Sequence, residues 1–193
     1  LSLRRQRQMC IRDSDKGVFE ELLVKSSFDF SDIQKNLAFL KGYKTEGNIS
    51  SQDITEAIPK SLQDNIFDMT QLLIRGQIQS VRELVHDLRL QGEDEIKLIA
   101  VMLGQFRTYL QVKLLSAQGK SEQQIVSSLS DYLSRKVNPF QVRYAIRDSR
   151  HLSVAFLKTT IKTLVETDYQ IKTGTLDKDY LLDLALLKIA SNS

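Results

Sequence analysis

TDYQIKTGTLDKDYLLDLALLKI, residues 167–189, reads as the end of one helix, a glycine stop and the start of another. Leu157, Ile161, Leu164 and Ile171 recur at the spacing of a single helical stripe. Lys172 suits the negative end of that helix, and Gly174 is a natural left-handed cap. Asp177 and Asp179 suit the start of the next helix. That helix is apolar almost all round (Tyr180, Leu181, Leu182, Leu184, Leu186, Leu187, Ile189), so it is expected to be buried or covered by a partner. Asp168 falls on the stripe of the first helix, where a carboxylate is costly without a counter-ion. We read it as an internal ion pair, with Lys172 one turn on or with Arg107 beside the stripe of the long helix. An acid catalyst is the alternative, and it lacks a second acid or base at a recognisable spacing.

Working outward, the chain reads as helices joined by short turns. Two helices are expected over 17–26 and 31–43, the second with Ser31 as N-cap and Ile33, Leu37 and Leu40 as its stripe. A polar loop follows at 42–51. A short helix over 52–58 has Ser50 and Asp53 at capping-box spacing and is ended by Pro59. Pro59–Lys60 is taken as the boundary between a small N-terminal piece, 15–59, and a main domain, 60–193. Ser61 and Asp64 open the next helix, with Leu62, Ile66, Met69 and Leu73, and Gly76 stops it. Ile78, Val81, Leu84, Val85 and Leu88 mark another, stopped by Gly92. A long helix over about 94–118 has Ile96, Ile99, Leu103, Phe106, Leu110 and Leu114 on one side and stops at Gly119. Ser121 with Gln124 opens a helix expected to end near Leu129, and Asn138 with Pro139 opens the next. No strand-like alternation of useful length occurs. The expected fold is all-α, with helices packed antiparallel through short connections.

The balance of 41% hydrophobic and 26% charged residues fits a globular chain rather than a disordered one. No run approaches the roughly 20 apolar residues that span a bilayer, so a membrane protein is not expected. The net charge of +3 is concentrated in residues 1–14, LSLRRQRQMCIRDS, where Arg4, Arg5, Arg7 and Arg12 face only Asp13; the remainder is neutral. An Arg- and Ser-bearing start is one form of organelle presequence. The string more closely resembles the translated sequencing-adapter tails found at the ends of some metagenomic reading frames, and we set it aside as an extraneous leader. The lone cysteine, Cys10, goes with it. The body then offers no disulfide and no thiolate metal site, and a reducing cytoplasm is permitted.

Chemistry-bearing patterns are few. Gly42 and Gly47 lack the spacing and the following Lys-Ser/Thr of a phosphate loop, so no ATPase site and no cofactor are expected. His86 and His151 are far apart on different helices, and no catalytic triad or metal set converges. The best nucleic-acid candidate is 121–150. A helix, a turn and a second helix place Arg143, Arg147 and Arg150 on nearly one face, with Arg135 and Lys136 in the turn. Against it, a connection from about 130 to 138 is long for a helix-turn-helix, and Asp131 and Asp148 dilute the charge. A solvated helical face is the plainer reading.

PKSLQDNIFDMTQLLIRG (59–76), LRLQGEDEIKLIAVMLGQFR (88–107) and IKTG (171–174) occur in an order and spacing that resembles the delta subunit of the bacterial DNA polymerase III clamp loader. DFSDIQKNLAFLKGY (29–43) followed by ISSQDITEAIP (49–59) resembles the end of that family's AAA+ lid domain. The resemblance implies lid helices followed by a C-terminal helical collar bundle, with Arg107, Asp168, Lys172 and Gly174 as a structural signature. It implies a subunit without chemistry of its own. The delta subunit opens the ring-shaped sliding clamp while tau/gamma subunits hydrolyse ATP, and its collar domain joins those of tau/gamma and delta prime. The family's clamp-binding wedge lies in a first domain that these residues do not match. A cytoplasmic location in a bacterium is expected on the same ground.

Overall fold

The computed structural model describes residues 16–26, 30–174 and 176–192. The leader read above, with Cys10, lies outside the described residues. Ten helices and no strand are present among the described residues, which makes the fold all-α. None of these helices is long and apolar enough to cross a membrane. The chain falls into two compact units that divide inside the first turn of the fourth helix, between Asp64 and Asn65.

The first unit holds α1 (Lys16–Lys25), α2 (Phe30–Tyr43) and α3 (Ser51–Ala57). Its small core is Val18, Leu22, Leu40, Ile54, Ala57 and Ile58, with Leu37 and Ile49 packed against it. α2 begins at Phe30, so Ser31 lies inside its first turn instead of capping it. α3 has the expected capping box: the Asp53 amide donates to Ser50 Oγ, and the Ser50 amide donates to Asp53 Oδ2 at 2.7 Å. Lys44 donates to the same carboxylate, and with the Ser50 donors it holds the Asp53 carboxyl down at about 2. At the other end of α3, Lys25 Nζ donates to the carbonyls of Ile54 and Ile58 at 3.3 and 3.0 Å, satisfying acceptors that a helix end leaves open.

Helices α4 (Leu62–Ile74), α5 (Ile78–Leu90), α6 (Glu95–Ala117), α7 (Glu122–Leu133), α8 (Pro139–Ser149), α9 (Val154–Lys172) and α10 (Lys178–Ala190) carry the rest of the chain. α4 starts at the Ser61–Asp64 capping box and buries Ile66, Met69 and Leu73. α6 is the axis of the second unit, in contact with α7, α8, α9 and α10, while α10 also packs on α5. α4 is tied to α6 by Thr70 Oγ1, which donates to Gln105 Oε1 at 3.0 Å, and by Gln71 Nε2, which donates to Tyr109 Oη. Gln105 Nε2 donates to the same oxygen at 2.9 Å. Burial pushes that tyrosine hydroxyl up to about 12, so it stays neutral. Phe106, fully buried, meets Tyr109 and Phe156 edge-on, with ring centroids 6.1 and 6.4 Å away.

Because α6 is covered from several sides, its buried arc is wider than the expected stripe and turned from it. Leu98, Ile99, Met102, Leu103, Phe106, Tyr109 and Val112 are buried, whereas Ile96 and Leu110 are half-buried and Leu114 is 41% exposed. α9 is turned in the same way. Its buried line is Phe156, Leu157, Thr160, Leu164 and Thr167, and Ile161 and Ile171 sit at its edge. Thr167 fits that line because its hydroxyl is satisfied within the helix, Oγ1 donating to the Thr163 carbonyl at 2.8 Å. Asp168 therefore lies at the margin of the buried face, not within it.

Candidate interaction surfaces

α10 buries Leu181, Leu182, Ala185, Leu186 and Ile189 and leaves one apolar line uncovered. Tyr180 is 56% and Leu187 49% exposed, Leu184 is half-buried between them, and Leu176 just before the helix is 56% exposed. Positions 180, 184 and 187 follow helical spacing, so these three side chains form one continuous strip. The near-uniform apolar character of this helix thus divides into a core face of five residues and an outward strip of three.

The start of α10 is held by a cluster of charges that sequence reading did not find. Lys178 Nζ lies 2.7 Å from Asp94 Oδ2 and 2.9 Å from Glu95 Oε2. Asp94 is also the N-cap of α6, accepting from the Ile96 amide at 2.9 Å. Arg89 lies 3.0 Å from Glu95 Oε1, 3.3 Å from Asp183 Oδ1 and 3.9 Å from Asp179 Oδ1. Burial pushes the Glu95 carboxyl up, but hydrogen bonds from Lys178, the helix backbone, Asp179 and Arg89 outweigh it and hold the group at about 2, against an ordinary 4.5. Asp179 is pushed the other way by its hydrogen bond to Glu95. A depressed folded-state value means the unfolded chain takes up the proton first, so this group stabilises the fold above pH 4.5 and loses that contribution as pH falls towards 2. Asp179 offsets part of the loss. Thermal unfolding of the wild type is expected to show a steep fall in midpoint across that window and Glu95→Gln a flatter one; parallel curves would contradict the assignment.

The basic segment has a different character from the one its sequence suggests. α7 runs to Leu133, beyond the expected end at Leu129, because Ser134 adopts the left-handed conformation (φ 50°) and closes the helix. The Arg135 amide then donates to the Ser130 carbonyl and the Val137 amide to Ser130 Oγ. The connection to α8 is therefore only 134–138, shorter than the sequence implied. Arg143 and Arg147 are each 64% exposed. They lie over the rings of Phe140 and Tyr144, 5.8 and 5.0 Å from the centroids. Each is also paired with an acid, Arg143 with Glu122 at 3.1 Å and Arg147 with Asp148 at 2.7 Å. Asp148, though 7% exposed, holds Arg147 and so offsets the surface charge as expected, and Glu122, 21 positions from Arg143, does the same. Arg135, Lys136 and Arg150 are exposed, and Lys113 Nζ donates to the carbonyls of Ser149 and Arg150 at the end of α8.

Of the four signature residues, three come together. Lys172 Nζ lies 2.7 Å from Asp168 Oδ2, one turn apart at the end of α9, and Gly174 follows at φ 68°, a conformation that an L side chain with a branched Cβ resists. Arg107 stands apart on the exposed side of α6 and forms no ion pair among the described residues. The cation that pairs with Asp168 is the near one. His86 and His151 are both exposed and separate.

The second unit is thus all-α and built round one long helix, with an apolar strip exposed on its last helix. Comparison with known proteins gives this unit a family. The family model described as DNA polymerase III delta subunit, C-terminal domain, matches residues 63–189. The chain is 35% identical over 160 residues to the DNA polymerase III subunit delta of Bacillus subtilis (strain 168), across 83% of this chain and 44% of that protein. The solved structure of the Bacillus subtilis DNA clamp loader delta protein superimposes with a TM-score of 0.81 at 30% identity, covering 92% of this chain and 51% of that one. The chain belongs to the DNA polymerase III delta subunit family. It spans about half the length of the relatives it matches.

Proposed function

We propose that this chain is the lid-end and collar portion of a clamp-loader delta subunit, acting in DNA replication in the bacterial cytoplasm. Residues 15–59 supply the end of the AAA+ lid and 60–193 the collar domain. The collar joins those of tau/gamma and delta prime, so that the complete subunit can open and load the sliding clamp through a first domain of its own. It contributes no catalytic group and no cofactor to the DNA-directed DNA polymerase (nucleotidyltransferase) complex it serves. The observation that supports this most is the apolar strip Tyr180, Leu184 and Leu187 on the outer side of a helix whose inner side is fully packed. Covering it would contribute on the order of 25 cal/mol per Å² of apolar surface. Mixing the purified chain with tau/gamma and delta prime on a sizing column tests the proposal. Co-elution is expected, and separate elution at micromolar concentration would oppose it.

A second use, contact with DNA by Arg135, Lys136, Arg143, Arg147 and Arg150, is favoured by the two arginines laid over aromatic rings. Such a face offers charge to phosphates and flat surface to bases. Its acids count against it, since Glu122 must release Arg143 before a phosphate can take it. Titration with a primer–template duplex separates the two uses. Contact predicts an affinity that falls steeply with salt and drops on Arg143→Ala and Arg147→Ala. Assembly through apolar burial predicts complexes that survive the same salt.

A further inference from the structure

Arg89, near the end of α5, reaches three carboxylates and one carbonyl, and three of those four acceptors belong to α10. Its Nε donates to Glu95 Oε1 at 3.0 Å, while Nη2 donates to the Asp179 carbonyl at 3.1 Å and to Asp183 Oδ1 at 3.3 Å. A helix advances about 100° per residue, so Asp179 and Asp183 lie one above the other on a single flank of α10. That flank runs between the buried line of Leu182 and Leu186 and the outward line of Tyr180, Leu184 and Leu187.

Apolar packing alone sets the rotation of this helix weakly. Leucines stand on both sides of the core face, with Leu184 half-buried and Leu187 49% exposed. Turning the helix by one position would exchange Leu182, Leu186 and Ile189 for Tyr180, Leu184 and Lys188, or Leu181, Ala185 and Ile189 for Asp183, Leu187 and Ala190. Much of the apolar burial is recovered either way, and one charged side chain is left to oppose each turn. A planar guanidinium gripping two successive turns of one flank is not so tolerant, because its donors have fixed directions. Its anchor on the far side is equally fixed, for Glu95 is only 4% exposed and is held by Lys178 as well.

We propose that Arg89 is a positioning residue for assembly, fixing the rotation of α10 so that Tyr180, Leu184 and Leu187 face outward as one strip. The proposal rests on the assembly reading above. Asp183→Asn is the cleaner variant, since it weakens the grip on α10 and leaves Glu95 paired with both Arg89 and Lys178. Arg89→Met removes the grip, and Arg89→Lys restores the charge without the planar fork.

The measurement is the dissociation rate of the complex with tau/gamma and delta prime, read beside thermal unfolding and amide exchange of residues 178–187 in the free chain. Asp183→Asn is expected to speed dissociation and amide exchange about tenfold, the size of one lost charge-assisted hydrogen bond, with the melting temperature lowered by only about 2–4 °C. Arg89→Met is expected to do more, and Arg89→Lys to recover part. A dissociation rate that stays at the wild-type value while the melting temperature falls would show a purely structural role and would overturn the proposal. Leu187→Ala distinguishes the two levels. If it weakens the complex while Asp183→Asn and Arg89→Met assemble as wild type, the positioning role is overturned alone. If Leu187→Ala has no effect, the strip and the positioning role fall together.

Discussion

Phe106→Ala is expected to destabilise the chain by about 3–5 kcal/mol, the range for truncating a fully buried phenylalanine. The ring is 0% exposed at the middle of α6 and meets Tyr109 and Phe156 edge-on. Its removal takes out both contacts and leaves a cavity that a helix packed on several sides closes poorly. Against total stabilities of about 5–15 kcal/mol, the loss is a large fraction. Leu114→Ala on the same helix is the matched control. Leu114 is 41% exposed, so its truncation is expected to cost under about 1 kcal/mol. Denaturant unfolding of the two variants measures the contrast. Equal costs would mean that α6 faces its neighbours along the line its sequence spacing suggests, with Leu114 inside.

The second large effect is on assembly. Tyr180→Glu combined with Leu187→Lys is expected to weaken association with tau/gamma and delta prime on the order of hundredfold or more, because two charges would have to be buried without partners. The fold itself should tolerate the pair. Both positions are about half exposed, and an acid near the start of a helix and a base near its end favour the helix dipole. A circular dichroism melt close to that of the wild type, with association lost, is the expected combination. A variant that melts early would show that the strip is core. A variant that melts normally and still assembles would show that the strip is idle.

The devices that depend on three or four neighbouring residues were legible in the sequence. The capping boxes at Ser50–Asp53, Ser61–Asp64 and Ser121–Gln124 and the Asn138–Pro139 start all form as spacing indicates. The Asp168–Lys172 pair is equally local. What spacing does not carry is the direction from which neighbours approach. α6 and α9 are each turned from their expected stripes because the buried arc is decided by the helices packed on them, and two threonines occupy the buried line of α9 where leucine or isoleucine was looked for. Pairings across the fold were invisible for the same reason. Arg89 and Asp183 are 94 positions apart and Arg143 and Glu122 21, and nothing local marks Glu95 as buried, since an acid at the first position of a helix is ordinary. The candidate surface on α10 was half legible. Its apolar excess was plain, and its division into core face and outward strip required the fold.

The central claim, that the outward strip of α10 is covered by partner subunits, is tested most directly by hydroxyl-radical footprinting of the chain alone and in complex with tau/gamma and delta prime. Tyr180 and Leu187 should be oxidised readily in the free chain and several-fold less in the complex, while Tyr132, 75% exposed on α7, reports labelling away from the strip. Tyr180 and Leu187 reacting equally in both states, within a complex shown to be intact, would contradict the claim.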